Sequence, residues 1–430
     1  MISKEKWAEI ILEFENKRFS DIISREEEID IEMKIRRSIS IIGPRRAGKT
    51  YEMYILIQKI REKYGSDKVV YINFERPDLG VISAEDLGTM LEMYYQLHPD
   101  NKKNQIWLFL DEIQNVPKWE LFVRSCLDSG LYVYLSGSSS KLLSKEIATS
   151  MRGRNLTYNI YPFSFKEFLL ARKFETKKYY SSSEKALLNS LLDEYLRYGG
   201  YPEAVLEPDK RDKIIKDIYD TAIYKDVIER GKVRNTKVLR LLIKNLLTAK
   251  EFSIHKFYNF IKSQGIKISK NSIYKYAELL SDAFFVFLLR KHDLSYKKSE
   301  QSLPKIYFID NGLLSLNGID DKGRLLENLV FIELIRRGKE ISYYQNSQKE
   351  EVDFVVKDGK KVTQLIQVSY DISNFMTLDR ELRVLVKASE EFNCKDLILI
   401  NIQEEKEETV KGLKIKFIPL LKWLLNQKQC

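Results

Sequence analysis

The sequence predicts an α/β protein whose first part is a parallel β-sheet flanked by helices. Short apolar runs such as VVYIN at 69–73 and IWLFL at 106–110 alternate with segments in which apolar residues recur at helical spacing. A strand that is buried on both faces of a parallel sheet carries apolar residues continuously, not only at every second position. The 430-residue chain is longer than one hydrophobic core usually serves, so we expect two to four domains.

The same patterns divide the chain into elements. The amino-terminal segment predicts a helix at about 4–17 and a second, charged helix at 25–37, before a short apolar strand that begins at residue 38. Further strands are predicted at 69–73, 106–110, 131–135, 156–161, 351–357, 361–370 and 397–401. Further helices are predicted at 50–64, 82–97, 236–249, 253–263, 269–280, 323–337 and 379–393, with a helix-rich stretch at 184–230. The acidic run at 404–408 indicates a solvated connection.

The composition is typical of a soluble, globular, cytoplasmic protein. Hydrophobic residues make up 44% of the chain and charged residues 31%. No apolar run approaches the ~20 residues that span a bilayer, and the charged, amphipathic beginning MISKEKWAEIILEFENKRF is unlike a signal peptide. We therefore expect a cytoplasmic location and no membrane partner.

Cysteine and histidine do not indicate a metal or disulfide framework. Three cysteines and three histidines are scattered along the chain without ligand spacing. The formal charge of +10 suits an anionic partner such as nucleic acid, although a net charge alone does not identify one.

The stretch SISIIGPRRAGKT at 38–50 combines a strand, a glycine-bounded turn and the start of a helix, and it fits the P-loop pattern G-x-x-x-x-G-K-[ST]. A loop that enters a helix N-terminus presents unpaired N–H groups to a polyphosphate. We expect ATP here, with Lys49 at the β- and γ-phosphates and the Thr50 hydroxyl on Mg²⁺. The expected contact residues are Gly43, Pro44, Arg45, Arg46, Ala47, Gly48, Lys49, Thr50 and Tyr51. The alternative is a glycine-rich turn before an ordinary helix.

The second motif is IWLFLDE at 106–112, an apolar run that ends in two acidic residues. The carboxyl ends of parallel strands are where such sheets bind ligands. Asp111 is thus expected to hold Mg²⁺ as the Walker-B aspartate, and Glu112 to polarise the water that attacks the γ-phosphate. Alternatively, the pair belongs to a solvated turn.

Two further candidates follow the strand at 131–135. Ser136 or Ser138 can sense the γ-phosphate from the end of that strand, or the SGSSS segment is a plain loop. Arg152 or Arg154 can act in trans as a finger on the nucleotide of a neighbouring subunit, which makes an oligomer possible, or both are surface arginines.

The motifs GPRRAGKT, LFLDEIQ, SGSSS, RGR, YPFSFKEF and YGGYPEAV follow one another in this order. Together they resemble the AAA-family ATPases of archaea and bacteria that join a P-loop domain to a winged helix and a nuclease-like C-terminal domain. The resemblance covers roughly residues 20–401 and implies an AAA+-like parallel sheet, a helical lid, a winged helix and a restriction-endonuclease-like α/β domain. It also implies that Pro202, in the Gly200-Tyr201-Pro202 element, lies near the adenine. We place these domains at 1–165, 166–235, 236–300 and 301–430.

The three helices predicted between 236 and 280 have the spacing of a helix-turn-helix, and the apolar run AFFVFLLRKH after them suits a wing strand. From residue 252 to 277 there is no acidic residue, whereas Lys256, Lys262, Lys267, Lys270 and Lys275 lie beside Tyr274 and Tyr276. This face suits double-stranded DNA, with lysines on phosphates and Asn271 or Ser272 towards bases. Alternatively, the module packs on the ATPase domain and its lysines are solvated.

The last region carries only part of a nuclease signature. Glu327 and Asp353 match the acidic positions of PD-(D/E)XK nuclease-like domains, where carboxylates hold a divalent metal. The acid-x-Lys triplet of an active member is replaced by Gln367-Val368-Ser369, so we expect a degenerate domain. Lys360 or Lys361, in the turn before the second strand, are the lysines that can substitute.

The leading hypothesis from the sequence is an Mg-ATP-binding and ATP-hydrolysing AAA+-like protein that contacts DNA or a protein partner. A second hypothesis is a slow nucleotide-gated switch or scaffold for a protein partner. A third, disfavoured by Gln367 and Ser369, is a DNA-cleaving enzyme.

Overall fold

The computed structural model describes residues 2–20, 22–138, 151–293 and 295–425. Cys430 and the end of the SGSSS segment, at 139–140, lie outside these residues. The chain forms two compact units, Met1–Tyr161 and Pro162–Cys430. In the described part of the chain no helix combines the length and apolar character needed to cross a membrane.

The first unit is built on a five-stranded parallel sheet. Its strands are β1 (Ser38–Ile42), β2 (Val69–Asn73), β3 (Trp107–Asp111), β4 (Tyr132–Gly137) and β5 (Asn155–Asn159). Its helices are α1 (Lys4–Glu15), α2 (Lys49–Tyr64), α3 (Ala84–Leu97) and α4 (Trp119–Asp128). The strand order is β2-β3-β4-β1-β5 and every pair is parallel, so all carboxyl ends meet at one edge.

Aromatic stacking and aliphatic packing fill one face of this sheet. Phe14 of α1 stacks on Tyr71 of β2, and Phe109 of β3 stacks on Tyr134 of β4. Buried side chains of α2 complete the same cluster, including Met53. Strands β1, β3 and β4 are buried along their whole length. The apolar run of β3 agrees with this burial, whereas β1 also buries Ser38 and Ser40, whose hydroxyls donate to Oδ1 of Asn155.

The predicted helix at 25–37 is wrong, because the structure contains no helix there. Ile29, Ile31 and Met33 recur every second residue and pack against the core of the sheet, a spacing that suits an extended chain. Two carbonyl groups of this segment accept hydrogen bonds from aromatic side chains of the sheet: Ile31 from Trp107 at 2.7 Å and Asp30 from Tyr134 at 2.8 Å. Side chains thereby satisfy backbone groups that a helix would have paired internally.

The second unit begins with helices. They are α5 (Phe165–Ala171), α6 (Ser182–Tyr198), α7 (Pro202–Leu206) and α8 (Arg211–Thr221), and α8 continues into a π-helical segment at Ala222–Glu229. Ser164 and Ser181 cap α5 and α6 with capping boxes.

Next come three helices and a small antiparallel sheet. The helices are α9 (Thr236–Thr248), α10 (Ile254–Ser263) and α11 (Lys270–Asp282). The strands are β6 (Val286–Leu289) and β7 (Lys305–Phe308), and short helices follow at α12 (Tyr296–Gln301) and α13 (Asn311–Leu316). Glu251, between α9 and α10, bridges to Lys305 of β7, so β7 contacts backbone on both of its sides.

A six-stranded mixed sheet ends the unit. Its strands are β8 (Glu340–Gln345), β9 (Glu351–Asp358), β10 (Lys361–Val368), β11 (Leu397–Asn401), β12 (Lys406–Val410) and β13 (Leu413–Pro419), in the order β12-β13-β11-β10-β9-β8. Its helices are α14 (Lys322–Arg336), α15 (Phe375–Phe392) and α16 (Leu420–Leu425). The predicted solvated connection at 404–408 is wrong in part, because residues 406–408 begin the edge strand β12. Charged residues are suited to such an edge.

The predicted fold class is confirmed: a parallel P-loop type sheet in the first unit and a separate carboxyl-terminal sheet in the second. Predicted strand bounds agree with the structure at Val69–Asn73 and at Leu397–Asn401. The two-stranded sheet also includes the apolar run that was predicted as a wing strand.

Asp310 joins the strand β7 to the helical part of the second unit. Its carboxylate accepts hydrogen bonds from the backbone of Gly200 at 2.7 Å and of Gly312 at 2.8 Å. Burial raises the pKa of Asp310 to about 7, although these two hydrogen bonds and the charge of Arg336 oppose the shift.

The raised pKa of Asp310 gives a pH-dependent stability. Between its ordinary pKa of 3.8 and about 7 the folded protein holds a proton that the unfolded chain releases, so stability falls as the pH rises through this range. Between pH 4.5 and 7.5 the unfolding free energy of the wild type should fall by on the order of 3 kcal/mol more than that of Asp310→Asn. Urea unfolding at the two pH values measures this difference. Parallel curves for the two proteins would contradict this assignment.

Candidate functional site

The P-loop follows β1 and enters α2 at the carboxyl edge of the parallel sheet. A Cβ atom on residue 43 would lie 2.0 Å from the carbonyl oxygen of Ile160, so glycine is required there. Gly48 has a left-handed conformation and caps α2 without a side-chain hydrogen bond. Glycine has no side chain that could cap the first N–H groups of α2. These groups carry the positive end of the helix dipole.

Lys49 is the cation of this loop. Its side chain is 4% exposed, and its Nζ donates to the carbonyl oxygen of Pro44 at 3.1 Å and lies 3.6 Å from Oε1 of Glu112. The lysine of the P-loop and the second acid of the pair after β3 are thus within ion-pair distance.

Asp111 lies at the end of β3 and is completely buried. Its Oδ2 accepts hydrogen bonds from the hydroxyls of Thr50 at 2.9 Å and Tyr71 at 2.7 Å, and its Oδ1 accepts one from Ser136. Burial and the charge of Glu112 raise the pKa of Asp111, while the three hydroxyl donors oppose this shift. A carboxylate beside a hydroxyl provides the hard oxygen ligands that Mg²⁺ prefers.

Glu112 takes a left-handed backbone conformation, with φ of 54°, immediately after β3. Its N–H donates to the hydroxyl oxygen of Ser136 at 2.9 Å, and its carboxylate accepts a hydrogen bond from Gln114. Contacts to Lys49 and Gln114 hold this carboxylate beside the P-loop, where it can polarise a water molecule.

The remaining predicted residues of this unit have different environments. Arg45 forms two hydrogen bonds with Glu75, at 3.0 and 3.2 Å, and Ala47 is buried within the loop. Tyr51 is on α2 and is 57% exposed. Ser138 is buried just beyond β4.

The two candidate finger arginines lie outside the cluster around Asp111. Arg152 is exposed, and Arg154 pairs with Asp128 at the end of α4, with 2.7 Å between the charged atoms. Ser136, proposed as a γ-phosphate sensor, instead contacts Asp111 and the backbone of Glu112, so it positions the acidic pair. Pro202 belongs to the second unit, at the start of α7.

Three residues of the site were missed by the sequence analysis. Tyr71 is a polar-tipped residue in an otherwise aliphatic buried strand, and this was a signal that could have been followed. Gln114 follows the Walker-B pair, but its spacing has no distinctive pattern. Arg25 donates to the carbonyl oxygens of Ala47 at 3.0 Å and Tyr161 at 2.6 Å, so it ties the P-loop to the chain beyond β5.

The carboxyl-terminal acidic positions form a separate cluster, in the second unit. Glu327 of α14 and Asp353 of β9 both contact Lys305 of β7, which the sequence analysis did not single out. Gln367 of β10 donates to Glu381, and the hydroxyl of Ser369 donates to the carbonyl oxygen of Asp371 at 3.1 Å. Lys360 and Lys361 line a different cavity together with His292, so they do not replace the missing lysine.

The sheet order and the loop between β1 and α2 define a P-loop type α/β fold in the first unit. Residues 35–169 match the family model described as AAA domain. Residues 189–323 and 322–423 match two domains of unknown function, DUF8612 and DUF4143.

The chain belongs to the family of the uncharacterized protein MJ1544 of Methanocaldococcus jannaschii. The two are 41% identical over 445 residues, which cover 99% of this chain and 97% of the relative. An uncharacterized protein of Haemophilus influenzae is 28% identical over 441 residues, with 99% of each chain covered.

Among solved structures, the Aeropyrum pernix ORC2 protein in its ADP form is similar to 67% of this chain over 88% of its own length. The sequence identity is 10% and the TM-score is 0.32, a likeness too weak to support a conclusion about this chain.

The contact between Gly43 and Ile160 predicts the effect of adding one methyl group. We expect Gly43→Ala to lower the unfolding free energy by about 1–3 kcal/mol, because the new Cβ would overlap a backbone oxygen that cannot move independently. Gly88→Ala in α3 is the control, since a Cβ there meets no atom within 4 Å and alanine favours helix. Equal thermal unfolding midpoints for the two variants would contradict this account.

Proposed function

We propose that this protein binds Mg-ATP at the P-loop and hydrolyses it. The observation that carries the proposal is the convergence of Lys49, Thr50, Asp111 and Glu112 at one edge of the parallel sheet, from two strands that are not adjacent in the sheet order. Glycine-rich backbone, a lysine, a hydroxyl and a buried carboxylate are the groups that P-loop chemistry requires.

Some of these residues are proposed to bind the nucleotide and Mg²⁺, and Glu112 to activate water. Lys49 is 3.6 Å from Glu112 and can contact the β- and γ-phosphates, so it stabilises negative charge on the transferring group. The donor set of Thr50 and Asp111 fits Mg²⁺, which when bound neutralises phosphate charge. Glu112 orients the attacking water, and Ser136 fixes both acidic residues through its single hydroxyl.

The sensor and finger assignments are part of the same proposal. Ser138, buried at the end of β4, is the γ-phosphate sensor that we retain. Arg152 is the better candidate for a finger in trans, because the guanidinium of Arg154 pairs with Asp128. Pro202 is proposed to contact the adenine, on the resemblance alone.

A slow nucleotide-gated switch is a second candidate. Glu112 is held by Lys49 and Gln114, and a base with such contacts must exchange them before it can polarise water. In this case ATP binding changes the protein's state for a partner, and hydrolysis resets that state slowly.

For the remaining domains we propose a helical lid at 166–235, a winged helix at 236–300 and a degenerate nuclease-like domain at 301–430, after the ATPase domain at 1–165. Three helices followed by the strand β6 support the winged helix, and β7, the antiparallel partner of β6, lies just beyond the proposed boundary at 300. The arrangement of β8 to β11 with α14 and α15 supports an α/β domain of nuclease-like type.

We further propose that the winged helix binds double-stranded DNA through α10 and α11. The five lysines Lys256, Lys262, Lys267, Lys270 and Lys275 are all exposed. Asn271 is exposed as well, and Tyr274 is 58% exposed on the same helix. Tyr276 is buried and its hydroxyl accepts a hydrogen bond from the backbone of Asn235, so it takes no part. Helix surfaces of this kind contact phosphates with lysine and bases with polar side chains.

Steady-state hydrolysis of Mg-ATP tests the catalytic assignment. We expect Glu112→Gln to keep nucleotide affinity while turnover falls at least about 100-fold, because the group that orients the water is lost. Lys49→Ala should lose affinity and turnover together, measured by calorimetry and phosphate release.

Lys59→Ala is the matched control, because Lys59 is exposed on the same helix as Lys49. Equal turnover in all four proteins would overturn the catalytic proposal. A single turnover followed by retained ADP would select the switch.

The salt dependence of DNA binding tests the proposed DNA-binding surface of α10 and α11. We expect the triple variant Lys262→Ala, Lys267→Ala, Lys275→Ala to reduce the slope of log affinity against log salt by about 3, at roughly 0.9 per phosphate contact. The matched control is Lys185→Ala, Lys213→Ala, Lys216→Ala, which removes three exposed lysines on α6 and α8. Fluorescence anisotropy with a mixed-sequence duplex gives both slopes, and identical slopes would exclude this surface.

A further inference from the structure

A buried ammonium lies among three carboxylates in the second unit. Nζ of Lys305 lies 2.8 Å from Oε1 of Glu351 and 3.1 Å from Oδ1 of Asp353, and it also contacts Oε1 of Glu327. Lys305 is only 5% exposed, and all four residues line a cavity of about 810 Å³. One cation thus neutralises acidic groups from a helix and a strand.

These acidic residues are where a nuclease-like domain would hold a divalent metal, but the residues present do not fit one. The ammonium of Lys305 already contacts all three carboxylates, and an ammonium group has three N–H donors to share among them. Across the described ranges, no group of three or more acidic, histidine or cysteine side chains is arranged to hold a metal ion.

Gln367 places an amide at a position where a metal-binding carboxylate would be needed. Its Oε1 accepts a hydrogen bond from the backbone N–H of Asp353 at 3.3 Å, and its Nε2 donates to Glu381. The amide is therefore held by hydrogen bonds at the strand position where an active nuclease carries an acid. The other carboxylate oxygen of Asp353 accepts from the backbone of Val368 at 3.0 Å.

The electrostatics agree with a permanently charged lysine. Burial opposes the charge of Lys305, but the adjoining carboxylates outweigh burial and raise the pKa of its ammonium above the usual value. Burial also opposes ionisation of Glu327, yet Lys305 and the hydroxyl of Tyr307 lower the pKa of that carboxyl. Burial and the neighbouring carboxylates raise the pKa of Asp353 to about 7, against the charge of Lys305. Removing the cation would leave buried carboxylates without compensation, which is strongly destabilising.

We propose that the ammonium of Lys305 takes the place of the divalent cation in this cluster. A side chain of β7 thereby holds α14 and β9 together without metal. Since β7 belongs to the two-stranded sheet after α11, the same contact fastens that sheet to the carboxyl-terminal domain. The cluster stabilises the fold and does not cleave phosphodiesters.

Thermal unfolding of the full chain in EDTA and in millimolar MnCl₂, without nucleotide, tests the substitution. Mn²⁺ should not stabilise the wild type through this cluster, so its gain over EDTA should be smaller than that of Lys305→Met. Lys305→Met keeps the length of the side chain but removes the charge, and its midpoint should fall by on the order of 10 °C in EDTA. Mn²⁺ should restore most of this loss, because the three carboxylates that have lost the ammonium can then bind the added cation instead.

Lys250→Ala is the matched control, because Lys250 lines the same cavity but is exposed. Its charge also lowers the pKa of Glu327, but only as the last of several causes, so its loss should be much smaller than that of Lys305→Met. Any contribution of the P-loop to Mn²⁺ binding is common to all three proteins. A wild type that Mn²⁺ stabilises as much as it stabilises Lys305→Met would overturn the proposal. So would a Lys305→Met protein without loss, or with a loss that Mn²⁺ does not restore.

If Lys305→Met does not fold, a triple variant decides the question. Adding Glu327→Gln and Asp353→Asn removes two of the charges that the lysine compensates, so the triple variant should fold and be indifferent to Mn²⁺. Failure of the triple variant to fold would show that Lys305 acts through packing, and the proposal would be wrong.

Discussion

The first unit buries one acidic side chain completely, and that burial raises the pKa of its carboxyl group. Asp111 receives hydroxyl groups from three different elements: Thr50 at the start of α2, Tyr71 within β2 and Ser136 at the end of β4. An ionised carboxylate without such donors is costly in a protein interior. The strand order places β4 between β1 and β3, and this arrangement brings the three hydroxyls to one carboxylate. The hydrogen bonds of Asp111 therefore depend on this order of strands.

Much of the fold could be predicted because burial acts on short stretches of sequence. Strands that are covered on both faces must be apolar throughout, and this requirement located β2, β3 and β11. The wrong prediction of a helix at 25–37 has its origin in tertiary contacts and not in local burial. Charged residues with interspersed isoleucines suited a helix, but Trp107 and Tyr134 of the sheet supplied hydrogen bonds to an extended chain. Tertiary contacts of this kind are not encoded in the segment itself.

The candidate site was predictable where its chemistry is local. The P-loop and the acidic pair are each a single short motif, so the sequence predicts Lys49, Thr50, Asp111 and Glu112 as site residues. The structure brings these four side chains together. Arg25 and Lys305 were not predicted, because each contacts residues that are distant in sequence. Lys305 precedes the helix and the strand that supply its three carboxylates, whereas the sequence analysis looked for a lysine on the strand β10.

The strand β7 has only four residues, yet buried polar side chains hold it at both ends. Lys305 opens the strand inside the acidic cluster, and Asp310, two residues after it, accepts hydrogen bonds from Gly200 and Gly312. A slip of one position would turn every side chain of the strand to the opposite face. These contacts fix the register of β7, so the position of Lys305 in the acidic cluster depends on the hydrogen bonds at Gly200 as well as on its own ion pairs.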